Sequence, residues 1–444
     1  MSIAPRKTAV RIIFETVQKG RFLSDVLKEY VYEAIPSPSA EEQAAILFLT
    51  RGSLERKIEL DAILSKLCTV PLKKLKKAVY AILLTASFEL IHGNAPEYAV
   101  VHEYVGLSDT FGVGALKGFV NAVLRRLCRE KEDLLAGLKP HEKLALPEWL
   151  YQAFTEWYGQ ETAERIGLWF LAEDSKRLTV RCLTSKVSEE AFENALQNAG
   201  ISFRKSPVGE DVFELWHPGR IDSIPGRNEG WFYVEAPAMT CSVSAAFAHL
   251  DDSRTECRIL DACASPGGKT IQFADGIRSR IDRNVLKSGS VTALDRSREK
   301  LRLLDENIRF YSFCDLAETG VSDAEVLHPE YSGRFDIVNL DVPCSGLGVL
   351  SGKPEAKERL TPEDLTNLTT IQKRILESGA SCVREGGLLV YSTCTLNPAE
   401  NTEQIDRFLQ EHCDFARIEE RSFLPGIEPT DGFYYAILRK NSHQ

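Results

Sequence analysis

Long apolar runs are missing from the 444 residues: none reaches the 18 that a membrane-spanning helix needs, and no short apolar signal core stands near the start. Neither export nor membrane insertion is expected, and a cytoplasmic location is. Paired cysteines are missing as well. The chain has 11 Cys, an odd number, and no two stand in Cys-x-x-Cys spacing. That argues against a disulfide framework and a zinc ribbon, so no metal is expected and reduced thiols are. Internal repeats and low-complexity tracts are absent, as are G-x-G-x-x-G and the P-loop pattern G-x-x-x-x-G-K-[ST]. What remains is 43% hydrophobic and 27% charged residues with 29 Gly and 19 Pro. Such a composition excludes a disordered chain, a collagen-like fibre and a disulfide miniprotein, and the length fits two to four domains.

A net charge of −10 would ordinarily argue against a nucleic-acid partner, but the charge is unevenly placed. Residues 1–130 hold 18 Lys and Arg against 14 Asp and Glu, a balance of +4, which leaves −14 for residues 131–444. The basic foci are Lys73, Lys74, Lys76 and Lys77, then Arg125, Arg126 and Arg129. A solvated helix face is the ordinary reading of such clusters; a polyanion-binding module is the alternative.

Periodicity divides the chain. Val10, Ile13, Phe14 and Val17 recur at helical spacing, and Ala78–Leu90 is apolar on most faces, as in a buried central helix. Residues 1–135 therefore read as an all-α domain. Residues 131–148 are charged and carry Pro140 and Pro147, which suggests a linker. In 148–235, helical stretches (Trp149–Trp157, Glu189–Ala199) alternate with short β-rich pieces (Leu178–Leu183, Val212–Trp216), giving a small α+β subdomain. Residues 236–444 carry strand candidates Arg258–Asp261, Ser290–Asp295, Phe335–Asp341 and Gly387–Ser392, each followed by a turn or helix. That is the pattern of a parallel sheet in a Rossmann-like α/β domain, whose ligands bind outside the carboxyl ends of the strands.

Those ends carry the polar residues. Ile259–Thr270 (ILDACASPGGKT) places a strand, a Pro-Gly-Gly turn and a helix start in succession. Gly267 and Gly268 let a ligand lie against the backbone, and the helix N-terminus offers unpaired N–H groups. Asp295 ends the second strand, where an acid can accept both ribose hydroxyls. Its separation of 34 residues from Asp261 exceeds the roughly 20 of a compact unit. The polar stretch Arg278–Gly289 is expected to be a loop insertion that accounts for the excess. A third acid, Asp315, is expected to end the next short strand and face an adenine. Acids at successive strand ends beside a Gly-rich loop suggest an adenosyl ligand rather than a phosphate.

Two cysteines occupy strand-end turns, Cys344 in DVPCSGLG and Cys394 in YSTCT. Cys68, Cys128, Cys182 and Cys382 read as small buried hydrophobes instead. A thiol beside a methyl donor suits one chemistry in particular. Carbon 5 of cytosine is too electron-poor to attack a sulfonium methyl, but addition of a thiolate at carbon 6 makes carbon 5 nucleophilic. A second acid/base group is needed for release, and the base must be single-stranded or flipped out. Spacing alone does not say which cysteine attacks.

Five motifs in order — DACASPGGKT, ALDRSREKL, FDIVNLDVPCSGLGVL, GGLLVYSTCTLNPAEN and DGFYYAILRK — resemble those of the Sun-type (Fmu) RNA cytosine-C5 methyltransferases. ASFELIHGNAPEYAVVHEYV and LKGFVNAVLRRL resemble a NusB-like RNA-binding helical domain, a pairing that points to the B-type bacterial small-subunit (16S) ribosomal RNA enzymes. The resemblance implies S-adenosylmethionine as methyl donor. Its loop would be Cys263, Ala264, Ser265, Pro266, Gly267, Gly268 and Lys269, with Asp295 on the ribose, Asp315 near the adenine and Asp341 facing the methyl and the base. It implies Cys394 as nucleophile and Cys344 as the residue assisting release, whereas in cytosine-C5 DNA methyltransferases the Pro-Cys thiol attacks. The implied partner is RNA, naked small-subunit rRNA or an early assembly particle, with no DNA or membrane and a monomeric enzyme. Methylation of tRNA or another RNA, and a non-enzymatic RNA-binding assembly factor, are the alternatives. Two departures bear on substrate: Leu350–Glu358 reads LSGKPEAKE, where relatives often carry a basic pair, and Glu235-Ala236 stands where they commonly carry Gln-Asp.

Overall fold

Residues with strong helical periodicity and residues with short apolar runs segregate in space as they do along the chain. The computed structural model describes residues 3–34, 37–216, 218–251, 253–352 and 356–442. They fall into two compact units: residues 1–171 with 351–359, and 172–350 with 360–444.

The first unit is helical. Its centre is the helix Lys77–His92, in which every residue from Val79 to Leu90 is buried. Gly52 of the helix Ala40–Glu55 lets that helix approach closely, since a Cβ there would lie 2.0 Å from the Phe88 ring. The same helix starts on a capping box, with Ser39 and Glu42 each accepting from the other's backbone N–H. One polar cluster is buried in this apolar core. Arg6 Nε donates to Glu89 Oε2 at 2.9 Å, and the Tyr104 hydroxyl donates to the same oxygen at 2.9 Å. The expected linker at 131–148 is not one. The helix Lys117–Ala136 runs through its first part, and Leu144, Ala145 and Leu146 are buried. Its charges mark a solvent-facing helix surface, not a loose connection. Helices Glu148–Tyr158 and Gln160–Leu171, expected with the middle subdomain, group with this unit. So does the segment 351–359: Lys357 is buried and its Nζ donates to the carbonyl oxygens of Glu55 at 3.2 Å and Ala145 at 3.4 Å. Lys353, Pro354 and Glu355, part of the departure noted above, lie outside the described residues.

The second unit holds two sheets. Strands β1 (Leu178–Cys182), β2 (Ser202–Lys205), β3 (Val212–Trp216) and β4 (Phe232–Val234) form an antiparallel sheet in the order β2-β3-β1-β4. Helix Glu189–Asn198 covers it through Phe192, which stacks on Phe232 and meets Phe213 edge-on. The larger sheet contains β5 (Glu256–Asp261), β6 (Ser288–Asp295), β7 (Ala317–Val321), β8 (Phe335–Asp341), β9 (Val383–Thr393), β10 (Phe415–Phe423) and β11 (Phe433–Lys440). Its order is β10-β11-β9-β8-β5-β6-β7, and the five strands from β9 to β7 run parallel. Connections leave β5 toward β6 on one side while β8 sits on the other, so the order reverses between β5 and β8. That reversal opens a crevice at the carboxyl ends. The Arg278–Gly289 stretch is mostly not an inserted loop: the helix Gly268–Asp282 takes its first five residues, and β6 begins at Ser288.

Candidate active site

Register brings the strand-end acids to one edge. Asp261 of β5 lies beside Asn339 of β8, and Asp341 of β8 lies beside Ser392 of β9. Asn339 Nδ2 donates to Asp261 Oδ1 at 2.9 Å and the Thr270 hydroxyl to Oδ2 at 2.6 Å. Burial raises the Asp261 carboxyl to about 6, against the downward pull of those two hydrogen bonds. Asp341 accepts from Lys269 Nζ at 2.7 Å and from the Ser392 hydroxyl at 2.9 Å. Burial alone would lower the Lys269 ammonium; Asp341 and Glu235 outweigh it and hold it above the ordinary lysine range.

Between β5 and the helix that follows, Gly267 adopts φ +116°, and a Cβ there would lie 2.5 Å from Leu304 Cδ1. Only glycine fits that turn without strain. A Cβ on Gly268 would stand 3.0 Å from Glu235 Oε1. The turn lines a cavity of about 440 Å³, together with Glu235, Asp261, Tyr311 and Asp341. A second cavity of about 160 Å³ is lined by Cys263, Ser265, Asp295, Asp323, Asp341 and Pro343, among others. Both sit at the carboxyl edge. Two buried oxygens along them, Ser265 Oγ and Glu235 Oε2, accept or donate no hydrogen bond among the described residues. Such orphaned atoms, with close-approach glycines and strand-end acids, fit a ligand with a ribose, an adenine and charged amine groups.

The residues singled out from sequence mostly meet here. Cys263, Ala264, Ser265, Pro266, Gly267, Gly268 and Lys269 line one cavity or both, as do Asp295 and Asp341. Ser297 N donates to Asp295 Oδ1 at 2.8 Å, which fixes that carboxylate. Asp315 lines neither cavity. It precedes β7 instead of ending it, at the opposite edge of the sheet, 61% exposed and paired with Arg278. The acid just past the carboxyl end of β7 is Asp323, and it lines the smaller cavity. Two further residues escaped the sequence reading: Glu235, singled out only as a departure, and Glu400, described below.

The two strand-end thiols converge. Cys344 Sγ and Cys394 Sγ are 3.3 Å apart, both half-buried, and neither is in a disulfide. The nearby Cys394 sulfur, then burial, then Glu400 push the Cys344 thiol well above its ordinary range. Of the other cysteines, Cys182 and Cys382 are buried, and Cys68 and Cys128 are half-buried. In the first unit, Lys73, Lys74, Lys76, Lys77, Arg125 and Arg129 are exposed. Arg125 and Arg129 line a cleft of about 390 Å³ with Tyr98, which is 80% exposed. No helix among the described residues is long and apolar enough to cross a membrane.

A Rossmann-like sheet with this Gly turn, these acids and a thiol pair, joined to a helical bundle, defines an S-adenosylmethionine-dependent methyltransferase with an RNA substrate. The family described as "16S rRNA methyltransferase RsmB/F" matches residues 248–439, and the NusB family matches residues 3–129. The chain is 30% identical to the probable ribosomal RNA small subunit methyltransferase B of Bacillus subtilis, covering 98% of this chain and 99% of that one. It is 29% identical to ribosomal RNA small subunit methyltransferase B of Vibrio vulnificus over the same shares. The crystal structure of PH0851 superposes with a TM-score of 0.78 at 20% identity, covering 99% of this chain and 100% of that one. A methyltransferase homologue from Pyrococcus horikoshii superposes at 0.57 with 24% identity, covering 68% and 97%. The chain belongs to the ribosomal RNA small subunit methyltransferase B family.

Proposed function

We propose that the protein methylates carbon 5 of a cytosine in 16S ribosomal RNA through a covalent bond between Cys394 and carbon 6. The observation that carries this reading is the thiol pair: two sulfurs from adjacent strand-end turns, 3.3 Å apart, one three residues beyond Asp341 of the cavity wall and the other two residues beyond Ser392, which donates to Asp341. S-adenosylmethionine, when bound, supplies an electrophilic methyl on a positively charged sulfur. Asp295 and Asp323 suit the ribose and adenine end, and the Cys263–Lys269 turn suits the methionine end.

The Cys394 thiolate adds to carbon 6, forming an S–C bond and pushing an electron pair to carbon 5. Carbon 5 takes the methyl, then loses its proton to water as the S–C bond breaks and the sulfur leaves with its electron pair. Cys344, whose raised pKa keeps it a neutral thiol, donates its S–H toward the departing Cys394 sulfur. On this reading Cys394 is the nucleophile and Cys344 acts in release. In the helical unit, Arg125 and Arg129 suit phosphates and exposed Tyr98 suits a stacked base. RNA carrying 5-fluorocytosine should trap a covalent complex in the parent that is absent in Cys394→Ala. Accumulation of the complex is expected in Cys344→Ala with ordinary RNA. A trapped complex that survives Cys394→Ala and disappears in Cys344→Ala would reverse the two roles. Bisulfite sequencing of total RNA from a deletion strain identifies the substrate, and a missing methyl outside small-subunit rRNA would replace it.

A further inference from the structure

The Cys344 turn and the Cys394 turn leave different strands, yet one buried side chain is bonded to both. Glu400 is 0% exposed and lies in the short helical turn Pro398–Glu400, six residues past Cys394. Its Oε2 accepts from Ser345 N and from Gln372 Nε2, both at 2.9 Å. Its Oε1 accepts from the Ser345 hydroxyl at 2.6 Å, Asn397 Nδ2 at 3.1 Å and the Thr395 hydroxyl at 3.5 Å. Ser345 and Thr395 directly follow the two cysteines, and their hydroxyl oxygens are themselves 2.6 Å apart. Gln372 also donates to the Pro343 carbonyl at 3.0 Å, so it holds the Cys344 turn from its other end. The Tyr391 hydroxyl anchors Glu400 from below by donating to its carbonyl oxygen at 2.7 Å.

All these donors are neutral. No cation joins them among the described residues, and a buried carboxylate held by neutral donors alone is an arrangement that stability does not favour, since an apolar side chain would need none of them. It is well suited to fixing geometry. Oε2 takes its donors from the Cys344 side and Oε1 takes donors from both sides, while the backbone of Glu400 belongs to the Cys394 turn, so the two turns cannot separate without breaking several short hydrogen bonds at once. Glu400 also does not line either cavity.

We infer that Glu400 is the positioning residue of the active site, the clamp that holds the Cys344 and Cys394 sulfurs at contact distance. The inference builds on the proposed roles of the thiols, and it is tested by a geometric readout that does not depend on them. Dibromobimane bridges only neighbouring thiols, so the bimane-bridged Cys344–Cys394 peptide, quantified by mass spectrometry in the full-length protein, reports their separation. Glu400→Gln replaces one acceptor by a donor that faces the donors already present. Expected are a fall of about fivefold or more in bridged peptide and about 10- to 100-fold in kcat, the scale of a misplaced reacting group. The KM for RNA and the Kd for S-adenosylmethionine should stay within about twofold, because the cofactor cavity is untouched. A merely structural role would move affinity and melting together and leave the bridge yield of the folded fraction unchanged. Ser345→Ala removes only the hydroxyl bonds, keeps the Ser345 N–H bond to Glu400, and carries the test should Glu400→Gln not fold; a smaller loss of bridged peptide and kcat is expected. Parent-like bridging in either folded variant overturns the clamp. Loss of bridging in Glu400→Gln, with a parent that forms no covalent RNA complex, would overturn the proposed chemistry and leave the clamp standing.

Discussion

Asp261 offers a sharp test of the strand-end electrostatics. It has no exposed surface, and burial raises its carboxyl from an ordinary 3.8 to about 6. A raised carboxyl pKa means the folded state holds the proton more tightly than the unfolded chain does. Its stabilising contribution is therefore complete below about 3.8, declines as pH rises, and is lost above about 6. Two units at ~1.4 kcal/mol each make the ionised form roughly 3 kcal/mol less favourable than the neutral one. Asp261→Asn keeps the shape and removes the charge. Its carbonyl can still accept from Asn339, and the Thr270 hydroxyl can turn to accept from the new amide. The variant should be more stable than the parent at pH 8 by up to ~3 kcal/mol, with the gap closing by pH 4. For a unit of this size that is a rise of roughly 6–12 °C in the melting temperature at pH 8. Calorimetry from pH 4 to 8, with the transition assigned by amide exchange in β5 and β8, checks it. Groups such as Asp211, which burial also raises to about 6, are common to both proteins and cancel in the difference. A shift of equal size at both ends of the range, or a variant less stable at pH 8, refutes the reasoning.

Three more outcomes follow from the same geometry. Lys269→Met removes the ammonium between Asp341 and Glu235 and should cost ~1–3 kcal/mol in urea unfolding, less than breaking a fully buried pair because Asp341 is 38% exposed; adding Asp341→Asn should restore part of it, and strictly additive losses would count against the pairing. Gly267→Ala must hold φ +116° and meet Leu304, so it should lose ~1–3 kcal/mol and weaken S-adenosylmethionine binding in calorimetry, whereas Gly333→Ala, at φ +64° with open space around it, should leave that binding unchanged. Asp323→Asn should weaken S-adenosylmethionine binding several-fold, while Asp315→Asn should not change it; the reverse order would return Asp315 to the site.

Much of this site was legible because strands β8 and β9 are buried over most of their length and end in polar turns. Phe335–Asp341 reads as a mainly apolar strand closed by an acid, buried up to that acid, and the strand fixes where Cys344 must lie. β7 carries no such signal. Only Ala317 of its five residues is buried, so the run AETGV shows neither alternation nor an apolar stretch, and the acid expected to end it was placed on its wrong side. The charged segments 131–148 and Arg278–Asp282 misled for a related reason: a helix with one face in solvent looks, in composition, like a loop. Glu400 was hidden differently. Nothing local marks a glutamate as buried, and its desolvation is met by Gln372, 28 residues earlier, and Ser345, 55 residues earlier, which only the fold brings close. The thiol separation is equally non-local, which is why spacing could not rank the two cysteines.

The acids at the cavity also explain how a chain of net charge −10 suits a reaction on a polyanion. Methyl transfer removes the positive charge from the cofactor's sulfur, so an acidic wall binds the donor better than its demethylated product and favours product exit. Asp341 is neutralised by Lys269 and Asp261 is held by Thr270 and Asn339, whereas Oε2 of Glu235, beside Tyr233, makes no geometric hydrogen bond among the described residues and is the carboxylate oxygen of the larger cavity freest to make that distinction. Burial raises the Glu235 carboxyl, with Lys269 pulling the other way, so its charge weakens as pH falls. Glu235→Gln should therefore weaken S-adenosylmethionine by about threefold or more while changing S-adenosylhomocysteine little, the scale of one unit charge acting across a partly solvated cavity. The preference of the parent for the donor should shrink toward acid pH in step. Equal weakening of both ligands would place Glu235 at the ammonium they share, away from the sulfur, and would refute the charge discrimination argued for it.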